Sequence, residues 1–260
     1  MALPQAKLDA TEARLAELTL PEGAAWANEA RADALSRLQS MGLPGPRDEY
    51  WRFTRPDALN APVAPAASLF LHKETMLFDS IDRLRVVFRD GVFDAEASDD
   101  LSAENLEIER LADATAKDIH WAKDLYGSLE TRGQTPVQRP FAAMNTAFAT
   151  DGVVLRATGP VSKPVSLIYL HEDTTSDAIL HFVIRVEQGA DLTVLENGPA
   201  AARFNKCMEV DVVDAGSFHH VRAQGRDHER LAVTHVFARL GEESTFKSFT
   251  LTANGRLTRN

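Results

Sequence analysis

Cysteine is nearly absent: Cys207 is the only one in 260 residues. One thiol excludes an internal disulfide and any cysteine-based cluster or zinc site built within a single chain, and it implies a reducing cytoplasm. Basic residues are also short. Lys and Arg number 28 against 38 Asp and Glu, a formal net charge of −10. That balance argues against a nucleic-acid partner, because phosphate neutralisation needs a clustered cationic excess. No window approaches the run of roughly 18 apolar residues that would span a membrane. The stretch "MALPQAKLDATEARLAEL" carries charges at every turn and no apolar h-region, so it does not read as a secretory signal. The patterns G-x-x-x-x-G-K-[ST], G-x-G-x-x-G and G-x-S-x-G are missing. Nucleotide hydrolysis and serine-hydrolase chemistry therefore lack their usual parts.

What is present divides the chain in two. Residues 7 to 41 read as two helices. In the second, Trp26, Ala30, Ala34 and Leu38 recur at helical spacing with Ala27, Arg31 and Leu35 beside them. Thr19 with Glu22 predicts a capping box, Pro21 suits a first turn, and "GLPGP" at 42 to 46 ends the helix. "RPDALNAPVAPAAS", 55 to 68, reads as a loop or linker. "RLRVVFRDGVFDAE" alternates Leu84, Val86 and Phe88, turns at Asp90-Gly91 and resumes at Val92, a strand–turn–strand signal. Residues 115 to 130 return to helical spacing, with Ile119, Ala122, Leu125, Tyr126 and Leu129 on one side.

From about Gly152 helical spacing gives way to short alternating strands. "VIRVEQGADLTVLEN", "EVDVVDAGSFHHVRAQ" and "VFARLGEESTFKSFTL" resemble one another, with Leu192, Phe218 and Phe246 in equivalent places, 26 and 28 residues apart. Paired strands repeating at that length predict the coils of a β-solenoid, each burying a face against its neighbour. A β-sandwich would give similar strands without the repeat. The expected fold class is therefore α+β. A mainly helical region with a small strand–turn–strand unit, 1 to 135, precedes a parallel β-helix core, 136 to 260, incomplete at its C-terminal end. The sequence stops at "LTANGRLTRN" with no capping helix, which predicts either a fragment or an end covered by something else.

The chemically interesting residues are few. His219 and His220, with His228, His235 and Cys207 nearby in sequence, would make a metal site if they converged. Adjacent residues on a strand point to opposite faces, so His219 and His220 cannot both ligate; one is expected inside the coil and the other in solvent. Cys207, beside Lys206 at the start of an apolar strand, is expected to be packed and inert. Asp191, Ser217 and Thr245 take corresponding places, so no ladder of carboxylates is built. The pairs Asp99-Asp100 and Glu242-Glu243 are those of any acidic chain. No catalytic, cofactor-binding or metal-ligating residue is assigned.

"DEYWRFT" at 48 to 54 resembles the E-x-W-[KR]-[YF]-T segment near the N-terminus of the SufB/SufD family of SUF iron–sulfur cluster assembly, in its SufD branch. "RVVFRDGVFDAEASD", 85 to 99, is similar to the family's strand with an Asn/Asp-Gly turn. "PFAAMNTAFATDGVVLRATGPVSKPVSLIYL", 140 to 170, is similar to its LN-x-A-F-x-x-DG approach to the β-helix. The resemblance runs from about 40 to 260 and implies a non-enzymatic scaffold. Such a subunit would pair with a SufB-like paralogue and an ABC-type SufC-like ATPase, with no membrane or nucleic-acid partner. It implies no cofactor in this chain alone; the iron–sulfur cluster and reduced flavin belong to the whole complex. In the family the ATPase contact lies in helices after the β-helix, so the resemblance implies that this contact region is missing here. On this reading Trp51 and Phe53 pack the helical part onto its neighbour. The β-helix alone would also suit a carbohydrate-active enzyme or carbohydrate-binding protein.

Overall fold

In the computed structural model, which describes residues 3–69, 77–224 and 229–260, the chain begins with helices α1 (Gln5–Leu15) and α2 (Ala25–Met41). Helix α2 buries Ala27, Arg31, Ala34, Leu38 and Met41, a stripe at the spacing the sequence shows. It stops at Gly42, whose φ of 64° suits a residue without a Cβ. Its start differs from the expected capping box. The N-cap is Ala24, with no side-chain cap. The Ala24 amide instead donates to Thr115 O at 2.7 Å, and Arg31 Nη1 donates to Pro21 O at 3.1 Å. Docking against residue 115 sets the boundary, and Thr19 and Glu22 lie outside it. The expected loop at 55 to 68 is mostly irregular but contains a short helix, α3 (Asp57–Asn60).

Strands β1 (Leu84–Arg89) and β2 (Val92–Phe93) pair antiparallel across Asp90 and Gly91, with φ of 50° and 84°, the left-handed pair a tight hairpin demands. Next come β3 (Leu106–Arg110), α4 (Leu111–Thr115), α5 (Ser128–Arg132) and α6 (Pro140–Phe148). Coils follow: β4 (Val153–Ala157) with β5 (Val165–Leu170), β6 (Asp177–Val186) with β7 (Asp191–Asn197), β8 (Arg203–Val212) with β9 (Ser217–Gln224), β10 (Leu231–Leu240) with β11 (Thr245–Thr252), then β12 (Leu257–Arg259). One sheet runs β11-β9-β7-β5-β1-β2 and the other β12-β10-β8-β6-β4-β3. Within the coils the pairing is parallel, so a stacked solenoid core stands behind the helices. Leu192 pairs with Phe218 and Phe218 with Phe246, which is the repeat read from the sequence.

The two sheets face each other across an apolar interior. Phe88, Leu155, Leu167, Phe182, Leu192, Phe204, Met208 and Phe218 all lie there, each buried. Burying each of these side chains contributes about 1.5–3 kcal/mol. Corners are tight: a Cβ on Gly198, at φ 108°, would lie 2.0 Å from Tyr169 O.

The helical layer covers the outer face of the second sheet. Helix α6 is buried at every position. Its Asn145 Nδ2 donates to Leu180 O and Asn205 O, both at 3.0 Å, stitching the helix to β6 and β8. Helix α1 is tied down by Arg14, which is 1% exposed and donates to Asp177 at 2.6 Å; Arg203 meets the same carboxylate at 2.6 Å. Residues 115 to 130 are less regular than their spacing predicts, with a 3-10 turn at Trp121–Asp124 before α5. Ala122, Leu125, Tyr126 and Leu129 are buried as expected, but Ile119 is 91% exposed because the helix that would have turned it inward does not form.

Trp51 is 3% exposed and packs edge-on against Phe141 at 5.5 Å, with the Arg259 guanidinium over its ring. Phe53 departs from the expected plug: it is 93% exposed, next to Arg52. The 3-10 turn at Glu49–Trp51 aims Trp51 inward, and the next residues carry Phe53 out to solvent.

Candidate functional site

The interior of the coils is not apolar throughout. On β7 the inward positions read Leu192, Val194, Glu196; on β8, Phe204, Lys206, Met208; on β9, Phe218, His220, Arg222. Period-two alternation places Glu196, Lys206, His220 and Arg222 among the core side chains. Glu196 and Lys206 are 0% exposed, His220 2% and Arg222 3%.

These groups satisfy one another. Glu196 Oε1 accepts from Lys206 Nζ and from His220 Nε2, both at 2.5 Å, and Oε2 accepts from the Tyr169 hydroxyl at 2.8 Å. With its proton on Nε2, the His220 ring is neutral, and Nδ1 accepts from Ser248 Oγ at 3.0 Å. Arg222 Nη1 donates to Thr234 Oγ1 at 2.7 Å and Asn260 Oδ1 at 3.2 Å. Burial alone would raise the Glu196 carboxyl, but Lys206, the His220 hydrogen bond and Arg222 together hold it well below the usual range. Burial pushes Lys206 down to about 8, with Glu196 opposing, so it keeps its proton near neutral pH. Burial also lowers His220 against the pull of Glu196, and it raises Tyr169 well above its ordinary value, with Glu196 adding to the rise. The arrangement holds one carboxylate against two cations and offers a proton-holding chain, Lys206–Glu196–His220–Ser248, whose last member is exposed.

A second buried cluster joins the two layers. Glu209 accepts from the amides of Gly127 at 2.5 Å, Leu129 at 2.7 Å and Glu130 at 2.9 Å, and from His181 Nε2 at 2.9 Å. A strand carboxylate thus serves the N-terminus of α5, where unpaired amides and the helix dipole favour negative charge. His181 Nδ1 meets Asn145 Oδ1 at 2.9 Å.

The residues singled out from the sequence do not come together. His220 points inward, as described; His219 faces outward, 3.5 Å from Asp191. His228 lies outside the described residues. Cys207 is fully buried on the outer face of β8, its thiol raised by burial and by Glu209 and Glu130. His235 pairs in register with Cys207, and Cys207 with His181, but the side chains serve other partners: His181 as above, and His235 stacked on Phe237 at 6.1 Å. Among the described residues no three His, Cys, Asp or Glu side chains are grouped to hold a metal ion, and no helix is long and apolar enough to cross a membrane. Sequence reading named neither cluster. The signal was available in the 26- and 28-residue spacing that links His181, Cys207 and His235, and in polar residues at inward positions of otherwise apolar strands.

Residues 169–260, from β5 through the last coils and including the interior cluster, match the family model described as SUF system FeS cluster assembly, SufBD core domain. No curated protein matches the chain. The C-terminal coils are thus similar to that core domain.

Proposed function

We propose that this chain is a SufD-like, non-enzymatic scaffold subunit of an iron–sulfur cluster assembly complex in a reducing cytoplasm. It pairs with a SufB-like paralogue and works with an ABC-type SufC-like ATPase. The observation that carries the reading is the similarity of residues 169–260 to the SufBD core domain, over coils that stack in the register of a parallel β-helix. The resemblance of "DEYWRFT" and of residues 140 to 170 extends it upstream. A supporting role fits the chemistry of these buried groups. The titratable groups of the interior are closed off and bonded to each other, and the Cys207 thiol is held protonated by its surroundings. The cluster is then the product of the assembled complex, with reduced flavin acting at that level.

Co-expression of the intact protein with a SufB-like and a SufC-like subunit tests this. The three are expected to elute as one complex, and cluster transfer to an acceptor apoprotein is expected to fall when this subunit is omitted. Elution of this chain alone, with full cluster assembly by the other two, would overturn the reading. So would polysaccharide binding or cleavage by the purified chain.

A further inference from the structure

At the other end of the solenoid, β3 is the terminal strand of its sheet. It pairs antiparallel with β4, Ile108 opposite Leu155. The bonds Thr158 N to Asn105 O, 2.9 Å, and Leu111 N to Gly152 O, 3.0 Å, fix which residues exchange hydrogen bonds with β4. In an antiparallel ladder bonded pairs alternate, so these are 105, 107, 109 and 111. The N–H and C=O of Ile108 and the N–H of Arg110 therefore face away from β4, on the stretch of edge past Leu106, whose own amide donates to Ala103 O at 3.3 Å. Along that edge runs a groove of about 540 Å³, lined by Glu107, Ile108, Glu109, Ile119, His120 and Trp121 among others. Ile119, 91% exposed, stands on its rim. Lys117 is held by Glu109 at 2.6 Å, leaving Glu107 as the more open acid, 3.7 Å from Arg156.

We propose that this groove receives an extended segment of a partner protein, which adds to β3 as a further strand and carries the pattern basic–apolar–basic. Added strands gain affinity from main-chain bonds and specificity from alternate side chains. The residue opposite Ile108 shares that residue's face, which packs toward the apolar interior, and must be apolar. Its two neighbours fall opposite Glu107 and Glu109, where Lys or Arg makes the favourable cross-strand pair. Their aliphatic stems lie along Ile119 and Trp121. A second copy of this chain fits poorly: a two-fold antiparallel pairing centred on Ile108 sets Glu107 against Glu109 of the other copy, like charges directly opposed.

The probe is a terminally blocked heptapeptide, Ser-Thr-Lys-Val-Lys-Thr-Ser, against its Ser-Thr-Glu-Val-Glu-Thr-Ser counterpart, followed by titration calorimetry and by hydrogen exchange at the Ile108 amide. The basic peptide is expected to bind and to slow exchange at Ile108, and the acidic one not to bind. Glu107→Lys is expected to weaken the basic peptide about tenfold, as an attractive cross-strand pair becomes a repulsive one. Ile108→Pro removes the docking N–H while leaving the ladder to β4 intact, and should abolish binding. If that variant does not fold, Glu107→Lys and the exchange readout still decide. Equal binding of both peptides, no binding of either at millimolar concentration, or basic-peptide affinity unchanged in Glu107→Lys would each overturn the proposal. So would sedimentation showing wild-type copies pairing through this edge, with Ile108→Pro abolishing the pairing.

Discussion

Replacing either partner of the buried pair Lys206–Glu196 removes the same contact, yet the two substitutions should differ severalfold in cost. The charges decide this. Inside the coils Glu196 faces two cations, Lys206 and Arg222, with His220 and Tyr169 neutral. Lys206→Met takes away the cation that burial already pushes down to about 8 and fills most of its volume. Glu196 keeps the His220 hydrogen bond at 2.5 Å, the Tyr169 bond at 2.8 Å and the field of Arg222. Nothing is orphaned, so the expected loss is about 0–1 kcal/mol. Glu196→Gln leaves two buried cations without a counter-charge, the situation that costs about 3–5 kcal/mol.

Equilibrium urea unfolding of the variants reads the difference. With a slope of about 3 kcal/mol per molar for a chain this long, Glu196→Gln should lower the midpoint by about 1–1.7 M and Lys206→Met by about 0.3 M at most. The double variant should be more stable than Glu196→Gln alone, since it removes one stranded cation. A second signature is pH. A lysine whose folded-state value lies below its unfolded value destabilises while protonated and is relieved as it loses the proton. Glu196→Gln should therefore recover about 1–2 kcal/mol relative to the parent between pH 7 and 9. Equal losses for the two single variants would refute the reasoning, because they would mean that Arg222 contributes nothing to the balance.

The solenoid was legible because its physics repeats. Inward positions recur every second residue and coils every 26 to 28, so Leu192, Phe218 and Phe246 reveal the stacking without knowledge of the corners. The same alternation divides His219 from His220. The helical layer was harder, because its boundaries are set from outside. Residue 115 fixes the start of α2, and Ile119 is released to solvent by a turn that spacing alone does not reveal. Helix α6 shows no helical period in the sequence for a different reason: buried on every side, it has no polar face. The site was hidden by separation along the chain. Tyr169, Glu196, Lys206 and His220 sit on four strands, and only the register of the coils shows that one carboxylate serves three of its neighbours.

Four further outcomes are expected. Trp51→Ala should cost about 3–5 kcal/mol through lost burial and the cavity beside Phe141, whereas Phe53→Ala should stay within about 0.5 kcal/mol; thermal unfolding of the pair separates plug from surface. Glu209→Ala strands three amides and the His181 ring in a closed space, so a loss of about 3–5 kcal/mol is expected in urea, and a loss under 1 kcal/mol would show that α5 does not depend on this carboxylate. Cys207 should resist a thiol-specific reagent in the folded protein and react only after unfolding; rapid reaction in the native state would contradict its burial. The last concerns acid. Burial lowers His220, and burial with Arg139 and Arg259 brings His235 down to about 3. Below the unfolded value of about 6.5 the unfolded chain takes up protons that these folded rings refuse, so stability is complete above that pH and falls as pH drops toward the folded values. Each ring contributes a slope of up to about 1.4 kcal/mol per pH unit. His235 keeps some solvent contact, which screens its two guanidiniums, so His220, facing Glu196, Lys206 and Ser248, gives the cleaner slope. Below about pH 4.5 the depressed Glu196 adds loss of the same sign, because its folded carboxylate also refuses a proton that the unfolded one accepts. Urea midpoints should thus fall between pH 6.5 and 5, above the range in which Glu196 titrates, and His220→Gln should make that segment less steep, leaving the share of His235. A midpoint constant from pH 7 to 5 would mean that His220 takes its proton inside the folded coil, and that the neutral ring between Glu196 and Ser248 is wrongly assigned.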